Sequence, residues 1–386
     1  MASSPVPLAP LALAQALIRR PSVTPADQGA MGVVEQALTD LGFSCRRMRF
    51  GQIENLYARR GTRGPNLCFA GHTDVVPPGE AADWRYDPFA GQVADGQLHG
   101  RGSVDMKSAI AAFIAAVSAV PGPGAGKGSL SFLITGDEEG DAVDGTCRVV
   151  EVLIAEGERI DHCLVGEPTS SAVLGDMIKV GRRGSLNAWI TVEGVQGHVA
   201  YPDRAANPVP VLVGLLDRLV QHRLDDGYPE FQPSNLEVTA LSADDVATNV
   251  IPATASARLN IRFNPAHTGA GLVRWLAAEC EEADKTFPGK VRLRTTISGE
   301  AFHTPPDRFV EVVAEAVETT LGVPPALSTS GGTSDARFIR ALCPVIEFGL
   351  VGTTMHKVDE HAPVLEIEAL SRVYAAVIER YFEAFG

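Results

Sequence analysis

Between Pro65 and about Gly175, short apolar runs alternate with longer runs of helical spacing. Asn66–Ala70, Ser129–Thr135 (SLSFLIT) and Asp161–Val165 have the length and apolar continuity of buried strands. Met106–Val120, rich in Ala and Ile, and Thr146–Glu156 read as the helices between and after them. The alternation resumes near the C-terminus, with a helix over Phe309–Leu321, a strand over Pro344–Phe348 and a helix over Glu366–Phe385. Leu8–Ile18 reads as an amphipathic helix closed by Arg19, Arg20 and Pro21. It lacks the basic leader of a signal peptide. Strands and helices in alternation predict an α/β fold, a mostly parallel sheet sandwiched by helices.

The middle of the chain has another rhythm. Strands are expected over Ser185–Glu193, Asn235–Ala243, Thr254–Phe263 and Val291–Ser298, and helices over Pro208–His222 and Leu272–Lys285. The order β-α-β-β-α-β is that of a small ferredoxin-like α+β domain. The α/β pattern returns after it, so it reads as an insertion. We place the larger domain at 1–181 and 297–386 and the inserted one at 182–296. Pro121–Gly128 reads as a loop.

Composition narrows the function classes. With 45% hydrophobic and 21% charged residues, the chain of 386 residues is globular and long enough for two domains. A formal net charge of −14 disfavours nucleic acid or an anionic membrane as partner, and no apolar stretch is long enough to span a bilayer. An anionic small substrate then requires a local basic cluster. The six cysteines show no CxxC spacing, and Cys68 and Cys163 lie inside apolar runs. Reduced buried thiols and a cytoplasmic location are the expectation.

Polar residues gather where strands end. His72 and Asp74 follow the first apolar strand, Glu138 and Glu139 the strand at 129–135, and Glu167 the strand at 161–165. Asp105 opens a helix, and His356 lies beyond the strand at 344–348. The carboxyl edge of an open α/β sheet is where ligands bind. Any one of these acids alone reads as a helix cap or a solvated loop residue. Two histidines and several carboxylates at one edge can instead hold two divalent cations, with an aspartate shared between them. His72 followed by Asp74 suits a ligand with a partner that orients it. The segment Gly332-Thr333-Ser334-Asp335-Ala336 nearly matches a nucleophile elbow but ends in Ala336.

The segments HTDVVPPG, GRGSVDMK, TGDEEG, VGEPTS and MHKVDE, in this order along the chain, resemble the di-zinc aminoacylase and carboxypeptidase family. MIKVGRRGSLN, GVQGHVAYP, ATNVIP and STSGGTSDARF are similar to its desuccinylase branch. The resemblance implies two divalent cations per subunit, Zn2+ with Co2+ able to substitute. It makes Asp105 the bridging ligand, with His72 and Glu167 on one cation and Glu139 and His356 on the other. It makes Glu138 the general base, has Asp74 orient His72, and makes Asp105–Met106 a candidate cis peptide. It makes the inserted domain a dimerisation lid whose His198 serves the other subunit of a homodimer. The implied reaction is hydrolysis of N-succinyl-LL-2,6-diaminopimelate to succinate and LL-2,6-diaminopimelate. Lys179, Arg182 or Arg183, and Arg262 would meet the carboxylates of that substrate, with Ser185, Tyr201, Asn249 and Thr333 as polar partners. The rival readings are an acetylornithine deacetylase or another N-acyl-amino-acid amidohydrolase, and a non-catalytic metal-binding protein. Glu138 speaks against the last.

Overall fold

A computed structural model describes residues 8–120, 128–244, 247–285 and 287–386. The loop expected over Pro121–Gly128 lies outside them except for Gly128. The chain opens with α1 (Pro10–Ile18), α2 (Ala30–Asp40), β1 (Ser44–Phe50), β2 (Ile53–Arg60) and β3 (Asn66–His72). There follow β4 (Gln92–Ala94), β5 (Gln97–His99), α3 (Lys107–Ala119), β6 (Ser129–Thr135), α4 (Thr146–Ala155), β7 (His162–Val165) and β8 (Met177–Lys179). The inserted segment holds β9 (Gly181–Arg182), β10 (Gly184–Glu193), β11 (Gly197–His198) and α5 (Pro208–Gln221). It continues with β12 (Asn235–Ala243), β13 (Val250–Ile251), β14 (Thr254–Phe263), α6 (Gly269–Asp284), β15 (Lys290–Gly299) and β16 (Phe302–His303). The chain ends with α7 (Arg308–Leu321), β17 (Ala326–Ser328), α8 (Ala336–Ile339), β18 (Val345–Glu347), β19 (His361–Pro363) and α9 (Val364–Phe385).

The chain divides into two compact units. The first runs to Val180 and resumes over Thr304–Ser328 and Ser334–Gly386. Its eight-stranded sheet has the order β1-β2-β6-β3-β7-β18-β8-β17, with β6, β3, β7 and β18 parallel at the centre. Alternate residues face opposite sides. Leu67 and Phe69 of β3 and Leu130, Phe132 and Ile134 of β6 join one core with α1, α2, α3, α7 and α9. α4 packs on β2, β6 and α8, and its buried Val149, Val150 and Leu153 lie outside that core, which places it on the opposite face.

The second unit spans Gly181–His303 and takes back Thr329–Thr333. The sequence pattern put its limits at 182 and 296. β15 carries on to Gly299, and Phe302–His303 pairs with Gly181–Arg182, so the unit closes later than the apolar pattern suggests. Its antiparallel sheet, β12-β14-β10-β15, has the ferredoxin-like order. Leu186, Ala188, Ile190 and Val192 of β10 meet Leu215 and Leu219 of α5 and Leu272 and Leu276 of α6 in one core.

Candidate active site

The first unit builds the acidic edge. β3 ends at His72, β6 at Thr135 ahead of Glu138 and Glu139, and β7 at Val165 ahead of Glu167. Because these strands are parallel neighbours, their carboxyl ends lie side by side. Asp105 precedes α3, and the Asp105–Met106 peptide is cis. His356 follows β18 and holds a left-handed φ of 61°.

The contacts centre on Asp105. Its Oδ1 lies 3.1 Å from His72 Nε2, and its Oδ2 lies 3.3 Å from His356 Nε2. Glu139 Oε1 is 2.8 Å from His356 Nε2, and Glu167 Oε1 is 3.7 Å from His72 Nε2. Grouped by mutual approach within 4.8 Å, His72 gathers with Asp105 and Glu139, and also with Glu138 and Glu167. The direct contacts divide the set differently, into His72 with Glu167 and His356 with Glu139. Each oxygen of Asp105 addresses a different histidine, in keeping with the division by direct contact.

His72 Nδ1 donates to the Asp74 carbonyl at 2.9 Å. A carbonyl can only accept, so Nδ1 carries a hydrogen, and Nε2 is the nitrogen that faces the carboxylates of Asp105 and Glu167. An Nδ1–H held in this way leaves Nε2 as the ligating nitrogen, and a bound cation would take the place of the proton that Nε2 shares with Asp105. Imidazole nitrogens with carboxylate oxygens suit zinc and similar divalent ions. The residues present therefore fit two such cations.

Electrostatics point the same way. Burial, and then the charge of Glu167, push the Glu138 carboxyl well above the usual carboxylate range. His356 is pushed up to about 10 by its contacts with Asp105 and Glu139. Burial opposes ionisation of Asp105, but hydrogen bonds from His356 and His72 prevail and hold its carboxyl low. Positive charge is what this cluster attracts.

Asp74 departs from expectation. Its carbonyl, not its carboxylate, holds the His72 ring, since the carboxylate Oδ1 is 3.7 Å from Nδ1. Two residues apart on a strand would place both side chains on one face, but β3 ends at His72 and the alternation stops there. The Asp74 carboxylate instead accepts from the backbone N–H groups of Glu138 (3.2 Å) and Glu139 (3.0 Å) and from Thr24 Oγ1 (2.7 Å). It sets the loop that carries both glutamates. Thr24 had no signal in the sequence, since its partner lies fifty residues away.

Lys179 also belongs to the first unit, where its Nζ donates to Ser328 Oγ at 3.1 Å. The other expected anion-binding residues belong to the second. There β10 and β14 set Ser185 opposite Arg262. Arg262 Nε donates to Asn260 Oδ1 (3.1 Å), and Asn260 Nδ2 to Ser185 Oγ (3.2 Å). Arg183 Nη1 donates to Asn235 Oδ1 (2.9 Å), and Asn235 is the register partner of Arg262. Burial, and then the charge of Arg183, lower the pKa of Arg262, whose Nη1 is buried without a hydrogen-bond partner. Arg183 is thus the arginine whose charge reaches Arg262. Arg182 Nη1 donates to Gly332 O at 3.1 Å, beside Thr333. His198 is exposed on β11, its Nδ1 accepting from Ala200 N at 3.1 Å. Tyr201 is exposed nearby, and Asn249 offers its carbonyl to Val199 N at 3.0 Å.

Comparison with known proteins now decides the family. Residues 68–380 match the peptidase family M20/M25/M40. The chain belongs to this family. Its hydrolase fold is shared by the M20 metallo-carboxypeptidase of Sulfolobus solfataricus, at a TM-score of 0.78 and 15% identity over 97% of this chain and 99% of that one. A dinuclear metal binding peptidase of the M20 family from Bacillus subtilis matches at a TM-score of 0.71 and 14% identity, over 97% and 98%. Among curated relatives, the succinyl-diaminopimelate desuccinylase of Phenylobacterium zucineum is 68% identical over 96% of this chain and 97% of its own length. That of Caulobacter sp. (strain K31) is 64% identical over 100% and 99%. Among the described residues, no helix of this M20 chain is long and apolar enough to cross a membrane.

Proposed function

We propose that this chain hydrolyses the amide bond of N-succinyl-LL-2,6-diaminopimelate, releasing succinate and LL-2,6-diaminopimelate for diaminopimelate and lysine biosynthesis in the cytoplasm. The observation that carries the reading is the identity of 64–68% to desuccinylases over essentially the whole chain. The half-buried Arg183 and Arg262 support it, because two cationic side chains, the charge of one felt by the other, suit an anion with more than one carboxylate.

His72 and Glu167 would hold one divalent cation, Glu139 and His356 the other, with Asp105 between them. Zinc is the expected metal, with cobalt able to substitute. Bound there, the cations supply Lewis-acid polarisation of the amide carbonyl and acidify water. Glu138 takes the proton of the attacking water and returns it to the leaving amine, a task suited to a carboxyl held high by burial. Asp74 fixes the His72 tautomer through its carbonyl and the Glu138 backbone through its carboxylate. Lys179, Arg182, Arg183 and Arg262 would read the substrate carboxylates, aided by Ser185, Tyr201, Asn249 and Thr333. His198, supplied by the second subunit of a homodimer, would donate to the developing oxyanion. The exposed apolar side chains of Val195, Val199 and Tyr201 around His198, and the exposed edge strand β12, support a partner subunit.

The test is a panel of N-succinyl and N-acetyl amino acids assayed for released amine with zinc and with a chelator. Preference for the succinylated diamino acid, abolished by the chelator, is expected. Preference for N-acetylornithine would overturn the substrate in favour of a deacetylase.

A further inference from the structure

Glu360 precedes His361 at the start of β19. The side chain is wholly buried, and its carboxylate is filled with donors from one loop. Oε1 accepts from Val104 N (2.9 Å) and Asp105 N (3.2 Å). Oε2 accepts from Gly102 N (3.1 Å) and Arg101 Nη1 (2.7 Å). The Glu360 carbonyl takes Gly100 N at 2.9 Å. Four of the six backbone N–H groups of the segment 100–105, those of Gly100, Gly102, Val104 and Asp105, are therefore tied to one residue, and that segment ends in the aspartate shared between the two histidines.

The Arg101 guanidinium extends the tie. Nη1 also donates to Lys357 O (3.2 Å), and Nη2 reaches His356 O (3.4 Å). The stretch from His356 to Glu360 contains two non-glycine residues in the left-handed region, His356 at φ 61° and Asp359 at φ 59°. Such a backbone persists only where its surroundings hold it. Here Glu360 holds one end and Arg101 reaches across the loop, while Arg85 N donates to Asp359 Oδ1 at 2.7 Å. His72 and Glu167 need no such clamp, because the paired ends of β3 and β7 carry them.

We propose that Glu360 is a positioning residue that locks the Asp105 loop to the His356 loop and so sets the affinity for the cation held by Glu139 and His356. This rests on the two-cation reading above. An ionised carboxylate is required, because it accepts on both oxygens, whereas a carboxamide would turn an N–H2 group toward N–H donors.

The experiment titrates metal-free full-length enzyme with Co2+ by calorimetry, comparing wild type, His356→Ala, Glu360→Gln, Arg101→Lys and Tyr374→Phe. Wild type should take up two cations per subunit; fewer would overturn the two-cation reading and, with it, the role given to Glu360. His356→Ala identifies which binding step belongs to its site. Glu360→Gln should weaken that same step by roughly ten- to hundred-fold and the other by less than about threefold. Arg101→Lys keeps the charge but loses the planar fork, and should show the same selective loss even where Glu360→Gln fails to fold. Tyr374→Phe removes a buried hydrogen bond to Phe348 O (2.7 Å) in which no ligand residue takes part, and should lower thermal stability while leaving both steps unchanged. Unchanged steps in both Glu360→Gln and Arg101→Lys, or equal weakening of both steps in proportion to lost stability, would overturn the proposal.

Discussion

Glu138 and Glu139 are adjacent and chemically identical, yet their surroundings give them different work. Glu139 touches His356 at 2.8 Å, while burial and Glu167 act on Glu138. Glu138→Gln should keep both cations, measured as metal per subunit, while kcat falls by about 10²–10⁴-fold. Glu139→Gln should instead lower affinity for one cation by roughly ten-fold or more. Near-normal kcat in Glu138→Gln would mean another base. Arg262→Ala should lower kcat/KM for the succinylated substrate by about ten- to hundred-fold, the worth of a charge-assisted bond of about 1.5–3 kcal/mol, and affect an N-acetyl amino acid less. Equal effects on both would make Arg262 structural. His72, Asp105, Glu138, Glu139, Glu167 and His356 could be picked out as candidates because histidines and carboxylates at or beyond strand and helix ends stand apart from the apolar runs beside them. Thr24, Arg101 and Glu360 could not, because they act through bonds to partners 50 to 259 residues away.

At the scale of elements, the apolar pattern located the buried strands β3, β6 and β7 well. It missed β1, β2 and α2. β1 reads SCRRMRF, with three arginines on a sheet edge and Met48 as its one buried residue, so no apolar run announces it. Its partner β2 is recognisable only from the antiparallel pairing, Ser44 with Arg59 through Phe50 with Ile53. Helix ends were more readable. Asp307 caps α7 by accepting from Phe309 N (3.0 Å) and Val310 N (3.2 Å). Asp307→Ala should destabilise the first unit by about 0.5–2 kcal/mol, read as a lower Tm without change in metal content. No shift in Tm would mean that solvent satisfies those two donors equally well.

For the molecule as a whole, cations that bind the native state and not the unfolded chain stabilise it by mass action. Removing them with a chelator should lower the Tm, and each site contributes about 2.7 kcal/mol when free metal is one hundred times its Kd. An unchanged calorimetric transition would argue against binding in the folded state. Mixing His198→Ala with Glu138→Gln subunits tests the homodimer. If His198 acts across the interface, one site of the heterodimer carries neither lesion and activity returns. No recovery, with heterodimer formation verified, would return His198 to its own subunit's site. The sequence by itself determined the two-unit α/β and ferredoxin-like organisation and the acidic sheet edge, because burial imposes periods of two and 3.6 residues that survive in one dimension. The tertiary structure alone decided which atom of Asp74 holds His72, what Arg183 bonds, and what braces Asp105. Those are contacts between distant segments whose geometry depends on where a strand ends and how a loop turns, and no local pattern records either.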